Sequence, residues 1–186
     1  GEGAIAAVLG IDDASLAVIC EANAGTEVVE PVNYNAPGQT VIAGHRAAVE
    51  RTLEAAREAG AKRAVMLPMS VPAHCSLMTP AADQLAARLA DVPLRAPDIP
   101  VMHNVDVTLS ADPSAIRQRL VAQVRSPVRW TECIQALAAG GIEQAVECGP
   151  GRVLAGLNRR IERRMNIQPI HDPDSLAKAL NTLEVE

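Results

Sequence analysis

The order of apolar segments in the first third of the chain constrains its fold more than any other feature. Two helical patterns occur there, one beginning near Asp12 and ending at Gly25, the other over residues 47–59. Four short apolar runs predict strands, at residues 4–9, 28–33, 40–43 and 64–69. The order β-α-β-β-α-β is that of a ferredoxin-like split unit, in which helices with one apolar face cover a sheet.

The pattern changes after a proline-bounded turn at residues 67–80. Single predicted strands then alternate with helices, which is typical of an α/β layer with parallel strands. One of them is a short buried strand at residues 100–102. These strands are too few for a self-sufficient sheet. We therefore predict a mixed α/β (α+β) fold with a ferredoxin-like subdomain at residues 1–70 and part of a larger subdomain at residues 71–186.

Composition narrows the classes of function. The chain has 48% hydrophobic and 21% charged residues, which indicates a globular protein. Trp130 and Tyr34 are its only aromatic residues and its net charge is −5, so we expect no nucleic-acid partner. No apolar run reaches membrane-spanning length and no signal-peptide pattern opens the chain, which predicts a cytoplasmic protein without membrane contact.

The cysteines are scattered along the chain, at positions 20, 75, 133 and 148. They show neither the paired spacing of a metal site nor the density of a secreted disulfide scaffold, so we expect reduced thiols and no metal. Cys75 follows His74 directly, which raises the alternative of a Cys–His couple. Adjacent side chains on an extended backbone point to opposite sides, and this disfavours Cys75 as a nucleophile.

His74 is the candidate for a catalytic base. It lies between a predicted strand end and a predicted helix start, where Thr79 suits the N-cap and Pro80 the first helical position. A side chain in such a turn is held by rigid elements without being part of a core. A lone histidine is more often a surface or hydrogen-bonded residue, so position alone does not decide its role.

Five sequence blocks follow one another along the chain: VNYNAPGQ at 32–39, VPAHCSLM at 71–78, NVDV at 104–107, SPVRW at 126–130 and ECGPGRVL at 147–154. In this order they closely resemble blocks of the bacterial malonyl-CoA:acyl carrier protein transacylase family, and the similarity extends over essentially the whole chain. VPAHCSLM is similar to the segment around the active-site histidine of that family. The resemblance implies a ferredoxin-like subdomain followed by part of an α/β-hydrolase-like acyltransferase subdomain.

The resemblance also implies a reaction, ping-pong acyl transfer in fatty acid biosynthesis. A serine attacks malonyl-CoA, and His74 accepts its proton and later activates the phosphopantetheine thiol of acyl carrier protein. In the family a main-chain glutamine carbonyl orients this histidine, and the corresponding residue is Gln123. The alternative is an ordinary helix-end glutamine. No cofactor is implied, because malonyl-CoA is the substrate and phosphopantetheine belongs to the carrier protein.

Asn33 and Asn35 flank Tyr34 at the end of a predicted strand. In an extended strand both amide side chains project to the same side, so they are candidates to bind substrate or to hold the histidine turn. Turn-forming asparagine is an equally good interpretation.

Three parts of the family pattern are absent from this sequence: a Gly-x-Ser-x-Gly elbow, a Gly-Gln-Gly-Ser-Gln block and the segment whose arginine pairs with the malonyl carboxylate. We therefore expect the C-terminal portion of the enzyme, with the nucleophilic serine outside this chain and no activity in the chain alone. Two alternatives stay open. One is an acyl- or carrier-binding module without catalysis, and the other is an acyltransferase that uses a different acyl-CoA.

Two features of the last third have competing interpretations. Arginines 159, 160, 163 and 164 form a basic cluster that would steer an acidic carrier protein, or else a solvated helix face. The segment Gly149-Pro150-Gly151 predicts a tight turn rather than a phosphate loop, since it lacks the Lys-Ser/Thr of such loops.

Overall fold

The computed structural model describes residues 3–69 and 71–183. Its first part contains the strands and helices in the predicted β-α-β-β-α-β order. They are β1 Gly3–Leu9, α1 Asp13–Ala24, β2 Val29–Ala36, β3 Gln39–His45, α2 Arg46–Glu58 and β4 Arg63–Met66. The four strands form one antiparallel sheet in the order β2-β3-β1-β4.

One face of this sheet is covered by α1 and α2. Leu16 of α1, Val49 and Leu53 of α2, and Val8 and Ile42 of the sheet are each at most 2% exposed. Each fully buried aliphatic side chain of this kind contributes roughly 1.5–3 kcal/mol. Helix α1 begins as predicted, because the Asp12 carboxylate accepts a hydrogen bond from the Ser15 N–H.

The opposite face of the sheet positions the site. Ile5, Val32 and Ala43 form a second buried cluster together with Cys75, and Leu77 packs against it. The turn that carries His74 is therefore packed on the strands of this sheet. Gly44 in β3 permits close approach of the backbone, since a Cβ atom there would lie 2.0 Å from the Val28 carbonyl oxygen.

The chain continues through shorter elements. A 3₁₀ turn, Ser76–Met78, leads without a break into a helix. The further elements up to residue 139 are α3 Thr79–Ala90, β5 Met102–His103, β6 Thr108–Leu109, α4 Pro113–Ala122 and α5 Trp130–Ala139. The Thr79 N-cap prediction was wrong: the 3₁₀ turn leaves Thr79 helical, and its hydroxyl donates to the Ser76 carbonyl.

The strand predicted at residues 100–102 is displaced in the structure, where it comprises Met102 and His103. β5 covers Met102–His103 and pairs antiparallel with β6, while Val101 is 52% exposed. The prediction of a buried strand was wrong because a three-residue apolar run carries too little periodicity to fix its partner.

The chain separates into two compact units, Gly1–Cys133 and Ile134–Glu186. The second unit contains β7 Gln144–Cys148, α6 Val153–Ile161, β8 Asn166–Ile170 and α7 Pro173–Leu183. β7 and β8 pair in parallel, as the strand–helix alternation predicted for this part of the chain. The domain boundary at residue 70 stays a prediction.

Among the helices of the described residues, none has the length and apolarity required to cross a membrane.

Candidate active site

His74 occupies a left-handed backbone conformation with φ +64°. Its backbone N–H donates to the Val124 carbonyl at 3.2 Å, and its ring Nδ1 lies 2.7 Å from the Gln123 carbonyl oxygen. The side chain is half-buried. Main chain and ring are thus both held by consecutive carbonyls of another segment.

The contact of Nδ1 with the Gln123 carbonyl determines which ring nitrogen carries the proton. A carbonyl oxygen only accepts hydrogen bonds, so the Nδ1 atom of the neutral ring must be the donor. The Nε2 atom then keeps its lone pair and can accept a proton. His74 is thereby prepared to act as a base through Nε2.

The carbonyls that hold His74 come from the end of α4. Gln123 is the C-cap residue, and the last carbonyls of a helix lack partners within it. The helix begins with a strong cap, since the Asp112 carboxylate accepts from the Ser114 and Ala115 N–H groups. The Gln123 carbonyl lies at the negative end of the helix dipole.

An ion pair secures α4 in turn. The Arg119 Nε atom lies 2.6 Å from an Asp106 carboxylate oxygen, and the Thr108 hydroxyl donates to the other oxygen. Burial alone would raise the pKa of Asp106, but hydrogen bonds from Thr108 and Arg119 and the charge of Arg119 hold it below its usual value.

Cys75 is the buried residue of the turn that carries His74. Its side chain is fully buried, and its thiol donates to the Pro72 carbonyl at 3.2 Å. Burial raises the pKa of this thiol, and the charge of Glu30 adds to that effect although the Leu77 N–H opposes it. A buried thiol with a raised pKa is a poor nucleophile, so Cys75 has a packing role.

Glu30 of β2 holds the turn from the other side. Its carboxylate accepts the Ser76 N–H at 2.9 Å and the Ser76 hydroxyl at 2.7 Å. Sequence reasoning missed this contact, as it missed Val124. The available signal was a carboxylate between Val29 and Pro31 in a predicted strand.

Asn33 and Asn35 lie on β2, whose outer edge pairs with a distant segment. The Val128 N–H donates to the Val32 carbonyl and the Tyr34 N–H to the Val128 carbonyl, both at 2.9 Å. The register of β2 against β3 shifts on either side of Asn33 and Tyr34, so the simple alternation behind the same-side argument does not hold there. Both asparagines are half-buried, and a role in substrate binding stays a prediction.

Other candidate sites find less support. Within residues 3–69 and 71–183, no group of three or more His, Cys, Asp or Glu side chains is placed to hold a metal ion. The Glu147 carboxylate accepts from the Leu154 and Ala155 N–H groups, so these amides at the start of α6 are already occupied. This favours the tight-turn interpretation of Gly149 to Gly151 over a phosphate loop.

Comparison with known proteins extends this picture. A family model described as an acyl transferase domain matches residues 1–171. The chain belongs to this acyl transferase family. The malonyl CoA-acyl carrier protein transacylase of Escherichia coli (strain K12) is 51% identical over 180 residues, which cover 97% of this chain and 58% of that protein. The transacylase of Bacillus subtilis (strain 168) is 39% identical over 187 residues, covering 100% and 59%.

Solved structures agree with the fold. A crystal structure of acyl-carrier-protein S-malonyltransferase from Burkholderia pseudomallei 1710b has a TM-score of 0.95 at 49% identity and covers 97% of this chain and 59% of its own. A type II PKS acyl-carrier protein in complex with its malonyl-transacylase gives a TM-score of 0.96 at 46% identity, covering 98% and 59%. The chain therefore spans somewhat more than half the length of these relatives.

Proposed function

We propose that the chain is the part of a malonyl-CoA:acyl carrier protein transacylase that carries the catalytic base. The observation that supports this most is the His74 ring, with Nδ1 bonded to the Gln123 carbonyl and Nε2 free to accept a proton. Likeness to transacylases across nearly the whole chain supplies the reaction class.

The proposed reaction has two half-reactions, each with one proton taken and returned by Nε2 of His74. A serine outside this chain attacks the thioester carbonyl of malonyl-CoA while His74 takes its hydroxyl proton. The protonated ring then gives that proton to the departing CoA sulfur, and a malonyl-serine ester remains. In the second half the carrier thiol loses its proton to His74 and attacks the ester, and the proton returns to the serine oxygen.

The position of His74 at the end of α4 suits both halves. Each half passes through an imidazolium whose Nδ1–H donates to the Gln123 carbonyl at the end of α4. The contact with the Gln123 carbonyl also keeps the ring from rotating between half-reactions.

The proposal names malonyl-CoA as donor and acyl carrier protein as acceptor, on the names of the relatives and on the carrier complex of one of them. It needs no metal or redox cofactor, because the thioester supplies the activated acyl group and phosphopantetheine arrives on the carrier. We place the enzyme in the cytoplasm, where its four unpaired cysteines would remain reduced.

A second candidate is a binding role without transfer. It is favoured by the sequence itself, which holds no Gly-x-Ser-x-Gly elbow. In that case the chain would bind malonyl-CoA or carrier protein and leave both unchanged. A third candidate, transfer of a different acyl group, depends on a carboxylate-binding arginine that this sequence does not supply.

The test follows malonyl transfer to carrier protein by mass spectrometry. We expect transfer by the longer enzyme that contains this chain, and none by the 186-residue chain. Transfer by the 186-residue chain would contradict a nucleophile outside it, while binding without transfer by the longer enzyme would favour the second candidate. Faster transfer from another acyl-CoA would favour the third.

A further inference from the structure

We propose that Glu30 is a positioning residue for His74 and acts through Ser76. The inference rests on the proposed role of His74 as the base. It assigns Glu30 the task of keeping the His74 turn in the one conformation that directs Nε2 correctly.

The turn needs such a device because His74 adopts φ +64°. L-residues other than glycine avoid this region, at a cost on the order of 1–2 kcal/mol. A strained residue keeps its conformation only where its neighbours fix it from several directions. The chain before and after His74 must therefore be anchored firmly.

One side of the turn is fixed by α4, through the bonds from His74 to the Val124 and Gln123 carbonyls. The residues that follow are fixed by β2. Ser76 is two positions after His74, and both its N–H and its hydroxyl donate to the Glu30 carboxylate, one to each oxygen. Two bonds to a charged acceptor define both the place and the orientation of Ser76.

Glu30 itself is rigidly placed. It follows Val29, which is 4% exposed, and pairs with Ala43 in the adjacent strand. No Lys, Arg or His among the described residues forms an ion pair with it, so the bonds to Ser76 are what compensate its half-buried charge.

A purely structural role for Glu30 would give the same contacts in the structure. Glu30 also lies at the start of the 3₁₀ turn that leads into α3, where a negative charge stabilises helix ends in general. The two roles differ in which part of the protein is destabilised when Glu30 is replaced. Loss of a positioning residue disturbs His74 more than the rest of the fold, whereas loss of a helix-end charge weakens α3 and global stability together.

Amide hydrogen exchange and ¹⁵N NMR of the histidine ring in the longer enzyme that contains this chain, without substrate, separate these roles. In Glu30→Ala we expect exchange protection at the His74 N–H to fall about tenfold more than at α2 amides. We also expect the ring nitrogens to move from the pure Nδ1–H form toward a tautomer mixture. Glu30→Gln keeps an acceptor oxygen and should restore most of the protection. Glu21→Ala, at an exposed position of α1, is the matched control and should change neither readout.

Unchanged His74 signals in Glu30→Ala would overturn the proposal, and so would equal loss of protection at all amides. If Glu30→Ala does not fold, Ser76→Ala decides, because it removes only the hydroxyl bond. A fall of about threefold at His74 alone supports positioning, and no change contradicts it.

These readouts involve no substrate, so they stand apart from the test of the transacylase reaction. If the longer enzyme transfers malonyl groups, Glu30→Ala in it should lower kcat about tenfold with KM nearly unchanged. A failed transfer by the unaltered enzyme would count against the proposed function, and normal kcat in Glu30→Ala against positioning.

Discussion

At the scale of single residues, a backbone carbonyl contacts the His74 ring where a carboxylate side chain does so in many catalytic triads. The acceptor for His74 Nδ1 is the Gln123 carbonyl, which any residue at position 123 can supply. A side-chain acceptor would add a second group that must be oriented, whereas a helix-end carbonyl is fixed by the helix.

This arrangement makes a prediction about Gln123. Gln123→Ala in the longer enzyme should leave the transfer rate within about threefold of the unaltered enzyme, since the carbonyl remains. Parallel measurement of His74→Ala provides the comparison. A hundredfold loss in Gln123→Ala would show that the side chain, and not the backbone, is needed.

Burial decides the role of Cys75. Cys75→Ala removes a fully buried thiol and should lower the free energy of unfolding by roughly 1 kcal/mol, measured by urea denaturation. Malonyl transfer by the longer enzyme should persist. Cys148→Ala, at an exposed position, is the control and should cost almost nothing. Abolished transfer in a folded Cys75→Ala enzyme would restore the Cys–His alternative.

At the scale of elements, the site is the meeting of a turn with the end of a helix. α4 holds its place through Arg119 and Asp106, whose side chains are 22% and 37% exposed. Displacement of α4 would move the Gln123 carbonyl and with it the ring of His74.

The Asp106 contact predicts an acid-dependent stability. Its folded pKa lies below the ordinary 3.8, so its stabilisation is present above that value and is lost as the pH falls through the folded pKa. At pH 7, Asp106→Asn should lower the free energy of unfolding by about 1 kcal/mol, a value limited by solvent screening.

Urea denaturation across the acid range checks this, with Asp83→Asn on α3 as control. The difference between Asp106→Asn and the unaltered chain should shrink as the pH falls below 3.8. A difference that stays constant with pH would mean that the charge of Asp106 contributes nothing.

Sequence patterns predicted the helices and strands better than the contacts between distant residues. The helices and strands of residues 3–66 followed from local periodicity, which needs no knowledge of distant residues. The bridge between Asn33 of β2 and Val128 joins residues 95 positions apart, and the contact of Glu30 with Ser76 joins residues 46 positions apart. Such pairings form only when the chain folds, and no local sequence pattern predicts them.

At the scale of the whole molecule, charge offers a way to recruit an acidic partner. Arg159 and Arg160 lie in the last turn of α6, where cations also complement the helix dipole. Reversing Arg160 and Arg163 to Glu in the longer enzyme should weaken carrier-protein binding about tenfold at low salt, and less as salt rises. Arg88→Glu on α3 is the control. Unchanged affinity at low salt would leave the cluster as a solvated surface.

The proposed role of His74 as the base is measured most directly by the rate at which the malonyl-serine ester forms. Rapid-quench mass spectrometry of the longer enzyme with malonyl-CoA gives this rate without carrier protein. His74→Gln should form the ester roughly 10²–10⁴ times more slowly than the unaltered enzyme, because the serine proton then has no acceptor. Ester formation at an unchanged rate in His74→Gln would contradict the assignment of His74 as the base.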